Sequence, residues 1–547
     1  MTLTLPMPLF HPAPEGAGDP PTSPLTTTGP ATDRQGWQTA VPEPDQPTGG
    51  AAAGASLRAE PESVTGVQLA QGIGHRPARG FWAEAWGQVL RRPGAVFGLV
   101  WISVVGFFAV FAPVLASGHP LVLRVLGEDG GVAETTYPLL RYLSAADVLL
   151  LLAAGAGAVW IAAPLPIRRS SRAWALVLAA VQGGAVVMLA AAVHGFFNQQ
   201  YPEDWVRRIR DAAWLPWTAA GAAAVLAAAP FLFAQIFGSV WRNLLIVAPV
   251  AVVSGAVVAG NWKVPLESFD YRERELAGEV EATYTLVPFS PNEATTSRYY
   301  RPPGTRVNET YRMVEAPEGG DRFVLGTDGR GRDVLSQLLH ACRLSISIGL
   351  VSTSIAVVIG VTVGALMGYF GGWVDILLYR VVEVFMAIPL LFLLIVAAAV
   401  LPRNTYVMMI IIGCVTWTGA ARFTRAEFLK LRGQDFVQSA KSVGLPLRSI
   451  LFKHMLPNGV TPVLVDASFA IAAAILIEAT LSFLALGPVD QPSWGALLSN
   501  AKSETGLFVW WLAIFPGAAI FLTVLAYNLI GEAMRDAIDP KLKKARV

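Results

Sequence analysis

The chain has 547 residues, of which 54% are hydrophobic and 15% are charged, and its net charge is +2. Soluble domains carry roughly 25% charged residues, so this composition excludes an ordinary soluble protein and indicates one that crosses a membrane many times. The near-neutral net charge gives no indication of binding to nucleic acid, and we expect no nucleic-acid partner. The two cysteines, Cys342 and Cys414, lie in or beside apolar stretches and lack the spacing of a disulfide framework or a metal site.

The first 117 residues divide into a tail and a membrane entry. Residues 1–80 are rich in Pro, Gly, Ala, Ser and Thr, and such a segment buries too little apolar surface to offset its ordering entropy. We therefore expect a disordered cytoplasmic tail. In residues 81–117, the segment from Phe81 to Arg92 mixes aromatic and aliphatic residues with charged ones, which favours a short helix in the lipid headgroup region before the first span. The alternative is that this segment is the frayed start of that span.

Ten apolar stretches come close to the ~20 residues that span a bilayer. Five precede the polar segment 262–330 and five follow it. They are Gly94–Ser117, Ala146–Pro164, Ala173–Phe197, Leu215–Phe237, Leu244–Asn261, Leu344–Tyr369, Ile376–Leu401, Tyr406–Ala421, Gly459–Gly487 and Val509–Ile530. The sequence therefore predicts an all-α polytopic membrane protein with about ten transmembrane helices.

Lysine and arginine set the orientation of these spans. They concentrate before the first span, in the link 165–172, in the link 422–457 and after Ile530. Ten spans place all four regions on one side, which the positive-inside rule identifies as the cytoplasm, together with both termini. Residues 262–330 then lie outside. They contain alternating segments at 283–290 and 306–316 and a turn at Pro302-Pro303-Gly304, which predict a small extracytoplasmic subdomain.

No catalytic constellation emerges from the sequence. There is no GxxxxGK[ST] loop, no HExxH and no GxSxG, so we expect no ATPase site and no metal site in this chain. Ionisable residues near or inside membrane spans are rare, and those that occur more often have a functional role. Four such residues are candidates for a transport pathway: Arg380, Glu383, Asp466 and Glu478. Arg380 and Glu383 are three residues apart, so they can instead form a structural pair.

The link between the eighth and ninth spans has the most distinctive local pattern. Gln434 to Val443 is helical by composition, and Gly444 can take the positive φ that ends a helix. Pro446 fits the first turn of a second helix, which we expect Pro457 to end. Phe436, Val437 and Ala440 would form one apolar face, and Ile450, Leu451 and Met455 the other. The result is a basic knob with apolar residues, which either binds a protein partner or lies on lipid.

This link resembles the EAA loop of ABC importer permeases. That pattern has Glu-Ala-Ala, a Gly four residues after the last Ala, and Leu-Pro thirteen residues later. The matching residues are Gln438-Ser439-Ala440, Gly444 and Leu456-Pro457, with His454 between them. The Glu and the first Ala are replaced, so no carboxylate stands at Gln438. The resemblance implies that the loop, about residues 422–457, docks in a cleft of an ATPase subunit.

A second segment is similar to the LGTDxxGRDxxS motif of oligopeptide and dipeptide permeases. It contains Gly326, Thr327, Asp328, Gly331, Arg332 and Asp333. Asp333 stands where a helix N-terminus favours negative charge, and the residues after it predict a separate amphipathic helix on the outer interface. Three further stretches look like the same family's motifs: Glu478–Leu484 with Pro492–Gly495, Phe515-Pro516-Gly517, and Gly531 to Pro540.

The resemblance implies an architecture and partners. A type I importer permease core of six spans would comprise the first span and residues 331–541, with four spans inserted in residues 118–261 and a basic end at 542–547. This subunit of the inner membrane would bind no cofactor. It would work with two ABC ATPase subunits that carry ATP and Mg, a second homologous permease and an extracytoplasmic peptide-binding protein. Two alternatives are a self-sufficient ion-coupled carrier or channel, and a membrane enzyme with its chemistry in the outer loop.

Overall fold

The computed structural model describes residues 81–127, 131–164, 169–198, 208–209, 211–233, 240–262, 271–294, 298–306, 321–489, 491–502 and 506–538. The predictions for the tail (1–80), the segment 307–316 and the basic end (542–547) fall outside these ranges.

A short helix, α1 (Phe81–Val89), precedes the first long helix, α2 (Pro93–Leu115). The two are separate because the helix stops before Arg92, whose backbone is extended, and Pro93 then starts α2 at a position where its missing N–H is not needed. Ala85 and Val89 of α1 pack against the last helix of the chain. The segment is therefore a helix of its own rather than the frayed start of a span.

Among the residues that the structure describes, five short strands form two small sheets between the helical regions. The hairpin β1 (Val122–Leu126) and β2 (Val132–Thr136) pairs through β1 with β3 (Val280–Thr283), all antiparallel, and β4 (Thr305–Arg306) pairs with β5 (Arg322–Phe323). An isolated two-stranded hairpin is only marginally stable in water, which explains why β1 also pairs with a third strand from the outer segment. Residues 122–136, which the sequence assigned to the inserted region, thus join the outer segment. The strand expected at 283–290 was wrong in its bounds, because β3 lies at Val280–Thr283 and ends where the predicted strand begins.

In its described residues, the inserted region contains the helices α3 (Pro138–Tyr142), α4 (Ala145–Ala162), α5 (Arg169–Asn198), α6 (Leu215–Phe233) and α7 (Val240–Gly260). Small residues such as Ala220, Ala224 and Val186 form their common core. Small side chains let apolar helices approach closely. The buried Gln182 amide donates to the carbonyl of Val247, 2.9 Å away, so its polar group is satisfied by a neighbouring helix. A short helix, α8 (Tyr271–Leu276), then leads to β3.

The second half of the chain begins with a helix of 37 residues, α9 (Val334–Phe370). Here the structure adds detail to two expectations. The predicted interfacial helix and the predicted span 344–369 form one continuous helix, because no glycine or proline interrupts residues 334–348. The predicted span Ile376–Leu401 is broken into α10 (Gly372–Ala387) and α11 (Leu390–Val400), bent by 83°. Pro389 causes the break, since it disfavours a helical backbone at the preceding Ile388.

The longer helices that follow in this half are α12 (Thr405–Thr416), α13 (Thr418–Leu431), α17 (Thr461–Phe483) and α19 (Trp510–Ile538). The short α18 (Trp494–Ser499) connects the last two, and α14 to α16 belong to the link described below. Among the described residues, six helices can cross a membrane by length and composition, or eight if each of the bent pairs α10–α11 and α12–α13 is one span. The protein is therefore a mostly helical polytopic membrane protein, and the count of ten spans stays a prediction.

The glycines of α9 set its packing on α13. A Cβ at Gly360, Gly364 or Gly368 would lie 2.5–2.6 Å from Ala420, Ala421 or Phe428. These helices are in contact at a distance that only glycine permits. This glycine stripe therefore serves helix packing, and the link after α13 packs on the helix pair α9 and α13.

Candidate coupling loop, outer motif and pathway residues

The link after α13 folds into two short helical arms. The first arm is α14 (Asp435–Ser442), and the second comprises α15 (Leu447–Ser449), a π-helical segment (Ile450–Met455) and α16 (Leu456–Gly459). Gly444 joins them with φ +74°, and its N–H bonds the carbonyl of Lys441. The helix pair and the glycine hinge are as the sequence predicts.

The expectation that Pro457 ends the second arm was wrong. Pro457 lies in the first turn of α16, and Val460 after it is still helical in conformation, so the arm runs on into α17. A proline inside an α-helix would clash with the carbonyl four residues earlier. The preceding π turn is wider and uses i→i+5 bonding, which leaves room for the proline ring.

The apolar residues of the arms divide into a buried set and an exposed set. The buried set packs on Phe428 and Leu431 of α13 and consists of Val437, Ala440, Ile450, Leu451 and Met455. The exposed set consists of Phe436, Val443, Leu447 and Phe452, and Val443 is 79% exposed. Most of the residues predicted to form the presented face are thus the internal core of the knob, because two amphipathic arms bury their stronger stripes against α13 first.

The residues that match the EAA pattern occupy distinct places. Gln438 is exposed and its amide donates to the carbonyl of Arg432 (2.9 Å), while the Ser439 hydroxyl donates to the carbonyl of Asp435 (2.8 Å). Ala440 is buried. In the second arm, His454 and Leu456 are half-buried and Pro457 is exposed. Gln438 therefore closes the α13–α14 turn, and its amide is already engaged within the chain.

The outer motif is a closed network at the start of α9. Asp328 is fully buried, and its carboxylate accepts from the backbone N–H groups of Arg330 and Arg332 (2.8 and 2.9 Å) and from the guanidinium of Arg332 (2.9 Å). The Gln337 amide also donates to it, 3.1 Å away. Gly326 and Gly331 have φ +81° and +73°, which only glycine adopts readily. Thr327 accepts from the backbone N–H of Arg301 (2.8 Å).

Asp333 caps α9, as the sequence predicts. Its carboxylate accepts from the backbone N–H of Ser336 at 2.7 Å, and it is only 2% exposed. Burial raises the pKa of this carboxyl from 3.8 to about 7, and the nearby Glu293 and Asp328 add to the rise, while the Ser336 bond opposes it. Burial therefore outweighs the preference of a helix N-terminus for a negative charge.

The four candidate pathway residues do not form one site. Arg380 and Glu383 pair on α10 at 2.6 Å, with side chains 73% and 44% exposed. Asp466 and Glu478 lie on α17, twelve residues apart, which is about 18 Å along a helix. Glu478 is fully buried, and one carboxylate oxygen accepts from the Ser482 hydroxyl at 2.6 Å. Only the Arg380–Glu383 pair therefore faces outward from the chain.

Comparisons with known proteins match two parts of the chain. Residues 360–544 match the model of the family described as binding-protein-dependent transport system inner membrane component. Residues 80–123 match the N-terminal transmembrane domain of oligopeptide transport permease C.

Several transport permeases are similar to this chain over a large part of their own length. An oligopeptide transport system permease of Haemophilus influenzae is 38% identical over 42% of this chain and 74% of its own. A glutathione transport system permease of Pectobacterium atrosepticum is 39% identical over 42% and 76%. A di/tripeptide transport system permease of Pseudomonas aeruginosa is 38% identical over 42% and 76%.

The chain belongs to the binding-protein-dependent transport permeases. It is thus a transport subunit of an ABC importer in the inner membrane, and ATP hydrolysis belongs to a separate subunit of such systems. The family models leave residues 124–359 of this permease unmatched, and most of its inserted helices lie there.

Among the ion pairs that the sequence reasoning missed, two join apolar helices of the permease. Arg343 of α9 pairs with Asp147 of α4, and Arg425 of α13 pairs with Asp375 of α10. Each joins residues at least 50 positions apart in the chain, so no spacing rule links the partners. The available signal was an acidic residue in the first turn of each of two apolar helices.

Proposed function

We propose that this chain is a permease subunit of an ATP-driven importer of di- or oligopeptides. It forms half of the translocation pathway and docks an ATPase subunit by the two arms, α14 to α16, of its coupling loop, residues 422–457. The substrate class follows that of the similar oligopeptide and di/tripeptide transport permeases. A hydrophilic peptide needs such a pathway, because each unpaired polar group costs several kcal/mol in hydrocarbon.

The observation that carries the docking role is the exposed apolar set of the coupling loop. The loop already buries a complete core of its own against α13, so Phe436, Val443 and Leu447 are not needed for its folding. Apolar side chains left on a rigid surface beside basic residues favour a protein partner. Lipid would satisfy the same side chains, but it would not require a preformed helical hinge at Gly444.

The complex that fits this role has two ATPase subunits with ATP and Mg, a second homologous permease and an extracytoplasmic peptide-binding protein. We count the shorter apolar helices Leu215–Phe231 and Val247–Gly260 among the ten spans. With ten spans, both termini and the coupling loop lie in the cytoplasm. The two small sheets then form an extracytoplasmic subdomain. This chain would bind no cofactor itself.

A self-sufficient carrier that uses Glu383, Asp466 and Glu478 has less support. These acids lie on two helices, and Glu383 is already paired with Arg380. An ion-coupled site needs its charges gathered around one ion or substrate.

The test is affinity purification of the tagged full chain, gently solubilised from its own membranes, followed by reconstitution with the proteins that accompany it. We expect ATPase subunits and a second permease to co-purify, and the reconstituted complex to take up labelled peptides only with ATP and a binding protein. Recovery of the chain alone, under conditions that keep other membrane complexes intact, would refute the proposal. An assembled complex that takes up no peptide would refute the substrate class only.

A further inference from the structure

Arg425 and Asp375 form a two-point ion pair between α13 and α10. Arg425 Nε lies 2.5 Å from Asp375 Oδ1, and its Nη2 lies 2.7 Å from Oδ2. The guanidinium also lies over the ring of Tyr379, 4.7 Å from its centroid. The side chains are 30% and 15% exposed, so the pair is partly shielded. A guanidinium held at two points and stacked on a ring has a fixed orientation as well as a fixed distance.

The two helices joined by this pair have different roles. Helix α13 leads directly into the arms α14 to α16 of the coupling loop, and its residues Phe428 and Leu431 belong to the buried core of those arms. At the end of α13, Arg432 lies against Gly371, the positive-φ residue at the corner between α9 and α10. A displacement of the coupling loop therefore reaches α13 and this corner through rigid contacts.

Beyond this ion pair, one apolar face of α10 packs against residues of α9 and α13. Of its 16 residues only Val382 is buried, and Phe385 packs edge-on against Trp417 with ring centroids 5.4 Å apart. The outward-facing pair Arg380–Glu383 lies between these contacts and Asp375. Helix α10 is thus a short rod that carries charged residues on an exposed face and is held at its coupling-loop end by Asp375.

We propose that Arg425 is a positioning residue that transmits movement of the coupling loop to α10, through its two bonds to Asp375. This inference rests on the proposed function and adds to it a specific link between the ATPase-docking end and the helix that bears Arg380 and Glu383. An apolar contact would let the helices slide, whereas a two-point pair resists both translation and rotation. Loss of the pair then uncouples ATP hydrolysis from movement of α10 and leaves assembly intact.

The experiment uses the complete reconstituted transporter and measures peptide taken up per ATP hydrolysed. We compare the wild type with Asp375→Asn, Arg425→Gln and the charge exchange Asp375→Arg with Arg425→Asp. Arg425→Lys keeps the charge but only one bond. Arg124→Gln is the matched control, since Arg124 forms an exposed pair with Glu281 in the outer sheet. Co-purification of the ATPase and basal ATP hydrolysis are recorded for every variant.

We expect both single variants to keep the ATPase and its basal hydrolysis while uptake per ATP falls by about 5-fold or more, the low end for coupling between sites. Arg425→Lys should be intermediate, the charge exchange should recover part of the loss, and Arg124→Gln should match the wild type. An assembled Asp375→Asn complex with wild-type uptake per ATP would overturn the inference and leave the proposed function standing. If Asp375→Asn fails to assemble, an assembled Arg425→Lys complex with wild-type uptake per ATP overturns it equally. A wild-type chain that recruits no ATPase would overturn both proposals.

Discussion

Asp147, in the first inserted long helix, forms an ion pair with Arg343 of α9. The Arg343 Nε also donates to the carbonyl of Ala109 in the C-terminal part of α2, 3.1 Å away. The other Asp147 oxygen accepts from the N–H and the hydroxyl of Ser144, both at 2.7 Å. One guanidinium therefore joins the inserted region, the first long helix and the second half of the chain.

We expect Arg343→Met to destabilise the protein by about 3 kcal/mol, because it leaves the Asp147 carboxylate buried without its charge partner. The side chains are 19% and 10% exposed, so solvent screens the pair little. The double variant with Asp147→Asn should recover much of the loss. Thermal unfolding of the solubilised protein measures the stability lost in Arg343→Met and the stability recovered in the double variant. Arg124→Gln, in an exposed pair, should shift the unfolding by less than ~1 kcal/mol. Equal effects of the two single arginine variants would contradict this account.

The inserted helices should be removable as a unit. His119 stacks on Tyr142, where the region begins, with ring centroids 3.8 Å apart, and its ring lies 5.7 Å from that of Tyr271, where the region ends. Replacing residues 143–270 by a short Gly/Ser linker, together with Arg343→Met, should therefore preserve the β1–β3 pairing. We expect the shortened chain to co-purify with the same partners and to retain peptide uptake. Loss of assembly would show that the region belongs to the transport core.

Gly364→Ala should destabilise the protein by about 1–3 kcal/mol, because a Cβ there would lie 2.5 Å from the carbonyl oxygen of Ala421 and overpack the α9–α13 contact. The matched control is Gly106→Ala in α2, where nothing lies within 4 Å of the added atom. That variant should be neutral or slightly stabilising, since alanine favours helix. Thermal unfolding compares the two, and an unchanged midpoint for Gly364→Ala would refute the close approach.

Asp333 should make stability depend on pH. Because its pKa is raised from 3.8 to about 7 in the folded state, the folded protein holds a proton that the unfolded chain releases between these values. Its contribution to the free energy of unfolding is therefore fully present below about pH 4 and is lost as the pH rises through about 7. Asp333→Asn keeps an acceptor for Ser336 but cannot ionise. We expect it to lose less stability than the wild type between about pH 4 and pH 8.

Thermal unfolding over this pH range tests the prediction. Glu134→Gln, at an exposed position of the edge strand β2, is the control and should follow the wild-type curve. Identical pH slopes for Asp333→Asn and the wild type would show that Asp333 does not carry the effect.

Val443→Glu should abolish recovery of the ATPase without unfolding the permease. Val443 is 79% exposed, so the variant buries no charge in the free chain, but it places one in the proposed interface. Val489→Glu is the matched control, because Val489 is 80% exposed in the α17–α18 link, remote from the coupling loop in sequence. The measurement is the amount of ATPase subunits that co-purifies with each tagged variant. Equal recovery with both variants would exclude Val443 from the interface.

Much of the architecture could be predicted from the sequence because it depends on local physics. Apolar length predicted the long helices, and Gly444 and Asp333 predicted a hinge and a cap from their own backbone and hydrogen-bonding preferences. Motif spacing also pointed to the permease family. The break at Pro389 was within reach of the same reasoning, since proline restricts the residue before it.

The sequence by itself determined which segments are helical and apolar, where the hinge and cap lie, and which family the chain resembles. The tertiary structure alone decided which apolar residues of the coupling loop are buried and which remain exposed, because two amphipathic arms compete for one surface of α13. It alone paired Asp147 with Arg343 and Asp375 with Arg425. Such pairs depend on how distant helices pack, and a one-dimensional spacing rule contains no information about that packing.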